Sequence, residues 1–324
     1  MITRSEREFI VNLTGGLGNQ LFQIAHALIN SNFSSLSLVQ EFGRPRVNEI
    51  GEAEIFSFRL PFQHKKKGAR DSNLFMRRIL GHTLKVSEQP EKWETNNFYQ
   101  FLCRALSNVV LSVHFRKLTL VSTCNSHYNL GRKAHSNVFF LGYFQRMLDK
   151  NVEQIRNTLS SLSLENISEK LQQEINYAQN KHISVLHLRL MDYFDEPKIG
   201  LLELDYFKKV VSTKNFNQEL NEVWVFSDDH AKAEQTLKLP SHINVRFFSE
   251  KSLSVSETFE LMRYGDQYIL SNSTFGWWAA FLSKKKNVQV VAPSPWFKTL
   301  KFDPSLYLQG WQSENAQWRS DSSK

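Results

Sequence analysis

The stretch VNLTGGLGNQLFQIAHAL, Val11 to Leu28, passes from a short apolar run through Gly15, Gly16 and Gly18 straight into an amphipathic helical pattern. Strand, glycine turn and helix in immediate succession open a βαβ unit. Glycine tolerates the positive φ of such a turn and lets amide N–H groups come close to a ligand, while the helix start adds a positive dipole end. The arrangement therefore suits an anion. A dinucleotide fingerprint would place a third glycine where Leu21 stands, and a Walker loop would need Gly-Lys-Ser/Thr; neither is present. Asn19 and Gln20 set two side-chain amides at the helix start, able to hydrogen-bond a polar ligand or to cap. The plain alternative is a tight turn that packs helix on strand.

Outward from this turn, Phe9–Leu13 reads as a strand, the helix runs to about Asn30, and Leu36–Glu41 reads as a second strand. Residues 51–133 show no clear period, and Val138–Gln145 reads as a buried strand running into a turn. The polar stretch 151–181 has helical spacing at Ile155, Leu159, Leu162, Leu171 and Ile175 and marks a domain junction. Beyond it, strands at 183–187, 223–227, 243–248, 268–271 and 288–292 alternate with helices near 205–211, 230–237, 256–264 and 275–282. Strands separated by helices predict a parallel sheet covered by those helices. At 324 residues, two such domains are expected. The expectation is an α/β protein with two Rossmann-like domains, residues 1–150 and 151–324, facing across a cleft.

The chain carries a net charge of +8, which suits nucleic acid, an anionic membrane surface or an anionic small substrate. No helix-turn-helix, zinc-finger or aromatic RNA-binding signature accompanies the charge, so nucleic acid is not expected. The clusters Lys65–Lys67 and Lys284–Lys286 read as solvated loops or helix ends, and the aromatic surplus, 25 Phe and 7 Trp, as packing. Trp277 and Trp278 fall on a helix as core. The two cysteines, Cys103 and Cys124, give neither a metal spacing nor a disulfide framework. The polar start MITRSEREF has no apolar signal core, and no apolar run reaches 18 residues, so a cytoplasmic location is expected.

In open parallel sheets, ligands bind beyond the carboxyl ends of the strands. In SVLHLRLMDYFDE, Ser184–Glu196, His187 and Arg189 share one face of an emerging strand, and Leu186, Leu188 and Leu190 share the other. An arginine at a strand end offers a fork of charge-assisted hydrogen bonds to a diphosphate, and Asp192 could orient it. The plain alternative is an Arg–Asp ion pair at the sheet edge. Asp228 follows another strand and could bind a ligand or cap the next helix. Ser271, Asn272, Ser273 and Thr274 offer an amide, hydroxyls and helix-start N–H groups at a second turn of phosphate type. No Asp-x-Asp occurs, and no nucleophile elbow, His-Glu-x-x-His or kinase signature is found.

The motifs GGLGNQLFQIAHAL (15–28), GYFQ (142–145), HLRLMD (187–192), FSDD (226–229) and LSNSTFGWWAAFLS (270–283) stand in the order of the α-1,2-fucosyltransferases of glycosyltransferase family 11. The chain resembles a bacterial member. That resemblance implies a two-domain GT-B fold with the first domain on the acceptor side. It also implies GDP-β-L-fucose as donor, inversion at the anomeric carbon, and no metal or other cofactor. It makes Arg189 the ligand of the donor pyrophosphate, with His187 beside it, Ser273 and Thr274 on phosphate, and Glu257 on guanine. The family pattern His-x-Arg-Arg-Gly-Asp differs here, with Leu190 and Met191 in place of the second arginine and the glycine.

The expected chemistry follows. Negative charge grows on the departing GDP, so fixed cationic donors stabilise the transition state more than the ground state. Arg189 and backbone amides supply them, while Asp192, Asp195 or Glu196 could take the acceptor proton. Donor contacts are expected from Gly16, Gly18, Asn19, Gln20, His187, Arg189, Asp228, Glu257, Asn272, Ser273 and Thr274. The first-domain glycines would close over the donor. The acceptor is expected to be a galactose-terminated oligosaccharide of an O-antigen type, lipid-linked at the inner membrane face, with peripheral membrane contact through the basic surface. A non-catalytic glycan- or nucleotide-binding protein on the same scaffold is the alternative.

Overall fold

The computed structural model describes residues 7–43, 45–67, 81, 105, 106, 109, 118–122, 137–147, 149–190, 196–212, 222–249, 252–300 and 302–319. The chain divides into two compact units, Met1–Phe56 with Leu60–Gln145, and Ser57–Arg59 with Arg146–Lys324.

The first unit begins with β1 (Phe9–Asn12), α1 (Leu17–Asn30) and β2 (Leu36–Val39). All eight strand residues are buried, as continuous apolar runs in a doubly covered parallel sheet should be. The short β3 (Phe58–Arg59) belongs to the second unit; β4 (His64–Lys66), β5 (Leu118–Ser122) and β6 (Asn137–Leu141) complete the first. The sheet order is β4-β2-β1-β6-β5, with every pairing parallel. Gln23 fastens α1 to the end of β1, its side chain accepting from Thr14 N–H and donating to Thr14 O, both at 3.1 Å.

The second unit continues with α2 (Asp149–Leu159), β7 (Ser163–Leu164), α3 (Glu169–Gln179) and β8 (Ser184–Leu188). Then come α4 (Leu204–Val211), β9 (Glu222–Ser227), α5 (His230–Thr236) and β10 (Asn244–Phe248). The unit closes with α6 (Val255–Met262), β11 (Gln267–Ile269), α7 (Thr274–Phe281), β12 (Gln289–Ser294) and β13 (Gln312–Asn315). Its sheet order is β10-β9-β8-β11-β12-β13, again entirely parallel. The expected α/β class with two Rossmann-like units in tandem, the composition of the GT-B fold that the resemblance implies, is the one observed. Leu186, Leu188 and Leu190 face one core with Val223, Val225, Tyr206, Phe207 and Ile269, as the alternation required. Trp277 and Trp278 are fully buried on α7.

Three expectations need correction. The helical stretch at 151–181 is two helices, because β7 between them pairs antiparallel with β3 and Ser168 caps α3 by accepting from Leu171 N–H at 3.1 Å. The edge strands β4 and β13 went unread because HKK and QSEN are polar and almost wholly exposed, without apolar alternation. The Lys284–Lys286 cluster is partly internal. Lys284 binds Glu260 and Tyr264, and Lys285 donates to Ala178 O at 2.9 Å and Lys181 O at 3.0 Å. Among the described residues, no helix is long and apolar enough to cross a membrane.

Arg263, fully buried after α6, ties α2, α6 and α7 together. It donates to Ser160 O, Leu162 O, Leu282 O and Glu260 Oε2 at 2.7–3.0 Å. Removing it strands three carbonyls and weakens the pairing of a buried carboxylate. Arg263→Ala is therefore expected to lower the unfolding free energy by about 3–5 kcal/mol in urea titrations. A loss under about 1 kcal/mol, the range of an exposed ion pair, would refute this role.

Candidate functional site

In the second unit the chain moves outward from β8 through β9 to β10, then returns to the other side of β8 with β11. The switch lies between β8 and β11, where the loops leaving the two strands diverge and open a crevice beyond their carboxyl ends. His187, Arg189 and the segment 271–274 sit at those ends.

His187 is buried, and its Nδ1 shares a hydrogen bond with Ser271 Oγ at 3.1 Å, joining the ends of β8 and β11. Burial first, and the Arg189 charge second, pull its pKa down to about 3, so the ring is neutral at ordinary pH. The first turn of α7 lies directly on this imidazole. A Cβ on Gly276 would stand 2.8 Å from His187 Nδ1, so the approach depends on glycine there.

Arg189 follows, mostly buried, with Nε 3.6 Å from Asp228 Oδ2. Asp228 Oδ1 also accepts the Leu190 N–H at 2.6 Å. The sequence left Asp228 divided between capping and binding; the cap of α5 is instead Asp229, which accepts from Lys232 N–H at 3.0 Å. Leu190 lies in the core at 1% exposure, so the place of the family's second arginine is an inward-facing one here.

Ser273 is the N-cap of α7, in extended backbone, and makes no side-chain bond to the helix it caps. The first intrahelical bond runs from Trp277 N–H to Ser273 O at 3.0 Å. The amides of Thr274, Phe275 and Gly276 precede it at the helix start, the end that carries the positive dipole. Asn272 donates to Ile199 O at 3.2 Å and Gly200 O at 3.1 Å, pinning the turn that starts at Glu196. Glu196 itself is exposed. Asp192 and Asp195 lie outside the described residues.

Glu257 lies on α6. It completes the capping box of α6, with Oε2 accepting from Ser254 N–H at 2.9 Å and Oε1 from Ser168 N–H at 3.1 Å. Burial raises its pKa, but the hydrogen bonds from Ser168 and Ser254 outweigh that and leave it below the usual carboxylate value. A guanine contact would have to compete with both oxygens' existing partners.

The first unit has a switch of its own, between β1 and β6. There the GGLGNQ turn meets GYFQ. Gly15 takes φ +70°, and a Cβ on it would lie 2.7 Å from Asn19 Nδ2 and 3.0 Å from Tyr143 Cε1. Asn19 Oδ1 accepts from Gln145 Nε2 at 3.0 Å, and Phe144 stacks on His26 at 4.2 Å. Gln20 is fully buried and internally engaged, donating to Gly15 O and Arg46 O and accepting from Ile55 N–H. Gly16 is the N-cap of α1 and Gly18 is buried in its first turn. The anion at this helix start is the protein's own: Glu54 Oε2 accepts the Leu17 N–H at 2.6 Å. Glu54 and Gly276 were not singled out from the sequence as site residues and carried no local signal; Ser271 was read as part of the LSNST turn, but not its bond to His187.

The sequence model described as "Glycosyl transferase family 11" matches residues 119–315, more than half of the chain. Among curated proteins, the chain is 29% identical over 312 residues to the Escherichia coli O-antigen biosynthesis glycosyltransferase WbnK, covering 88% of this chain and 93% of that one. It is 25% identical over 317 residues to the Escherichia coli alpha-1,2-colitosyltransferase, covering 91% and 95%. Among solved structures, it is similar to fucosyltransferase NodZ from Bradyrhizobium at 12% identity and a TM-score of 0.43, covering 86% of this chain and 94% of that one.

A buried neutral His187 carries a pH signature. From about pH 6.5 down to about pH 3, the unfolded chain holds a proton on this residue that the native chain lacks. Its contribution to stability is thus complete above about pH 6.5 and falls on acidification, by at most about 1.4 kcal/mol per pH unit. Urea unfolding at about pH 7 and about pH 5 is expected to show a shallower acid loss for His187→Gln than for the native chain. Equal losses would mean that His187 takes up its proton in place.

Proposed function

Because the chain belongs to glycosyltransferase family 11, we propose that it transfers L-fucose from GDP-β-L-fucose to the 2-hydroxyl of a terminal galactose. The acceptor is an O-antigen-type surface oligosaccharide, and the anomeric centre inverts. The observation that carries this reading is the position of Arg189, at the end of β8 beside the switch point and across from the start of α7. A nucleoside diphosphate needs a cationic fork and helix-start amides in one place, and the reading is supported by the pairing of β8 with β11, the neighbouring strands after which Arg189 and α7 follow.

As the fucose–phosphate bond lengthens, positive charge develops on the sugar ring and negative charge on the β-phosphate. Arg189 and the α7 amides are fixed before reaction, so they stabilise that separated charge without reorganising. The pyrophosphate is held by Arg189, Ser273 and Thr274 in a metal-independent reaction. His187 stays neutral and keeps β8 and β11 together, and Asn272 shapes the adjoining turn. Asp192, Asp195 and Glu196 are the carboxylates that follow Arg189 in the chain and the candidates for taking the acceptor proton. The first unit, with Asn19 and its partner Gln145, serves the acceptor. Gly16, Gly18 and Gln20 serve it indirectly, by building the turn that carries Asn19.

One relative is named for colitose, so the donor sugar is a variable in the test. Purified protein is incubated with GDP-fucose or GDP-colitose and a panel of β-galactosides, and GDP release and product linkage are measured. Product with an α-1,2 linkage from GDP-fucose is expected. GDP binding without product from either donor would instead favour a nucleotide-binding protein on this scaffold. Arg189→Ala is expected to lower turnover by about 10²–10³-fold, the loss typical of deleting one transition-state donor, with the unfolding transition retained. Near-normal turnover would refute the clamp.

A further inference from the structure

We propose that Asp228 is a positioning residue that acts through Arg189, and that it makes no contact with the donor. The inference rests on Arg189 as the diphosphate ligand. Asp228 follows the last residue of β9, and β8 and β9 pair in register up to Leu188 and Ser227. Beyond that point its side chain continues the ladder that the backbone abandons. Oδ1 takes the Leu190 N–H at 2.6 Å, and Oδ2 stands 3.6 Å from Arg189 Nε. One carboxylate thus holds the backbone that leaves β8 by a hydrogen bond and the edge of the guanidinium that it carries by an ion pair.

The division of labour with its neighbour supports this. Asp229 performs the capping of α5, so Asp228 is not needed there. Leu190 is anchored in the core, so the chain between the two pins has little freedom. Both charged side chains are at least 85% buried, where an ion pair is poorly screened. A fork ordered in the free protein loses less rotamer freedom on binding, so the pair converts directly into affinity for an anion.

The test is a double-mutant cycle read by GDP binding in titration calorimetry. Asp228→Asn keeps an acceptor for the Leu190 amide and removes the charge. It is expected to weaken GDP about 10-fold beside an intact Arg189, and less than about twofold beside Arg189→Ala. Equal weakening in both backgrounds would place Asp228 on the nucleotide itself and overturn the proposal, as would no weakening in either. A second readout needs no nucleotide. In 15N NMR, Asp228→Asn should shift the Arg189 Nε–H signal and speed its exchange while the Leu190 amide stays protected. An unmoved Nε–H signal also overturns the proposal. If the native protein binds no GDP, the donor reading fails, and the Nε–H signal still decides the positioning role.

Discussion

The candidate donor site hangs on how the end of β8 is held. A strand that leaves a parallel sheet normally becomes a loop, and a side chain on a loop spreads its charge over many directions. Here the last turn of backbone has no such freedom. Leu186, Leu188 and Leu190 are packed into the core on one face. On one edge the Leu190 amide is taken by Asp228, and on the other the His187 ring is joined to Ser271. Period-two alternation then sends His187 and Arg189 to the opposite face. Gly276 completes the arrangement by letting the start of α7 lie on the imidazole. The imidazole must be neutral for this, since a buried cation beside Arg189 would repel it.

The first unit uses the same supersecondary device with a different occupant. Its glycine turn has the strand, the positive φ and the helix start that suit a phosphate. Yet Glu54 brings a carboxylate to the Leu17 amide, and Gln20 closes the turn onto Arg46 and Ile55. The helix dipole is satisfied by a protein anion. The glycines serve packing instead: Gly15 admits Asn19 and Tyr143, which bring the GYFQ segment against the turn. The missing third glycine at Leu21 fits this account, since Leu21 is wholly buried core.

How much of this was legible follows from the range of each interaction. Strands and helices with clean periods stand where their spacing put them, and the Leu/His/Arg alternation at 186–190 gave the facing of β8 outright. The edge strands β4 and β13 were invisible because exposure removes the apolar signal, whereas the edge strand β10 was read and the apolar β5 was missed within the irregular stretch 51–133. Asp228 and Asp229 are adjacent and chemically alike, so only their partners could separate them. Glu54 reaches Leu17 from 37 residues away, and nothing local marks it. Glu257 is the opposite case: Ser254-x-x-Glu257 is a capping box in plain sequence. Its role on guanine, which the resemblance implies, has no such local signal in the sequence.

The departure at Leu190 now has a physical meaning. A side chain at 190 enters a core of leucine, valine and phenylalanine, where an arginine would be a buried charge without a partner. Among the described residues the end of β8 therefore presents one fork, that of Arg189, and under the proposed donor reading a leaving diphosphate takes the rest of its neutralisation from elsewhere. On that reading the helix start of α7 is the other fixed source, seated by the contact of Gly276 with His187. A single arginine demands exact placement of that one side chain in compensation for the second. The carboxylate of Asp228 stands at the one edge of the fork where it can supply that order.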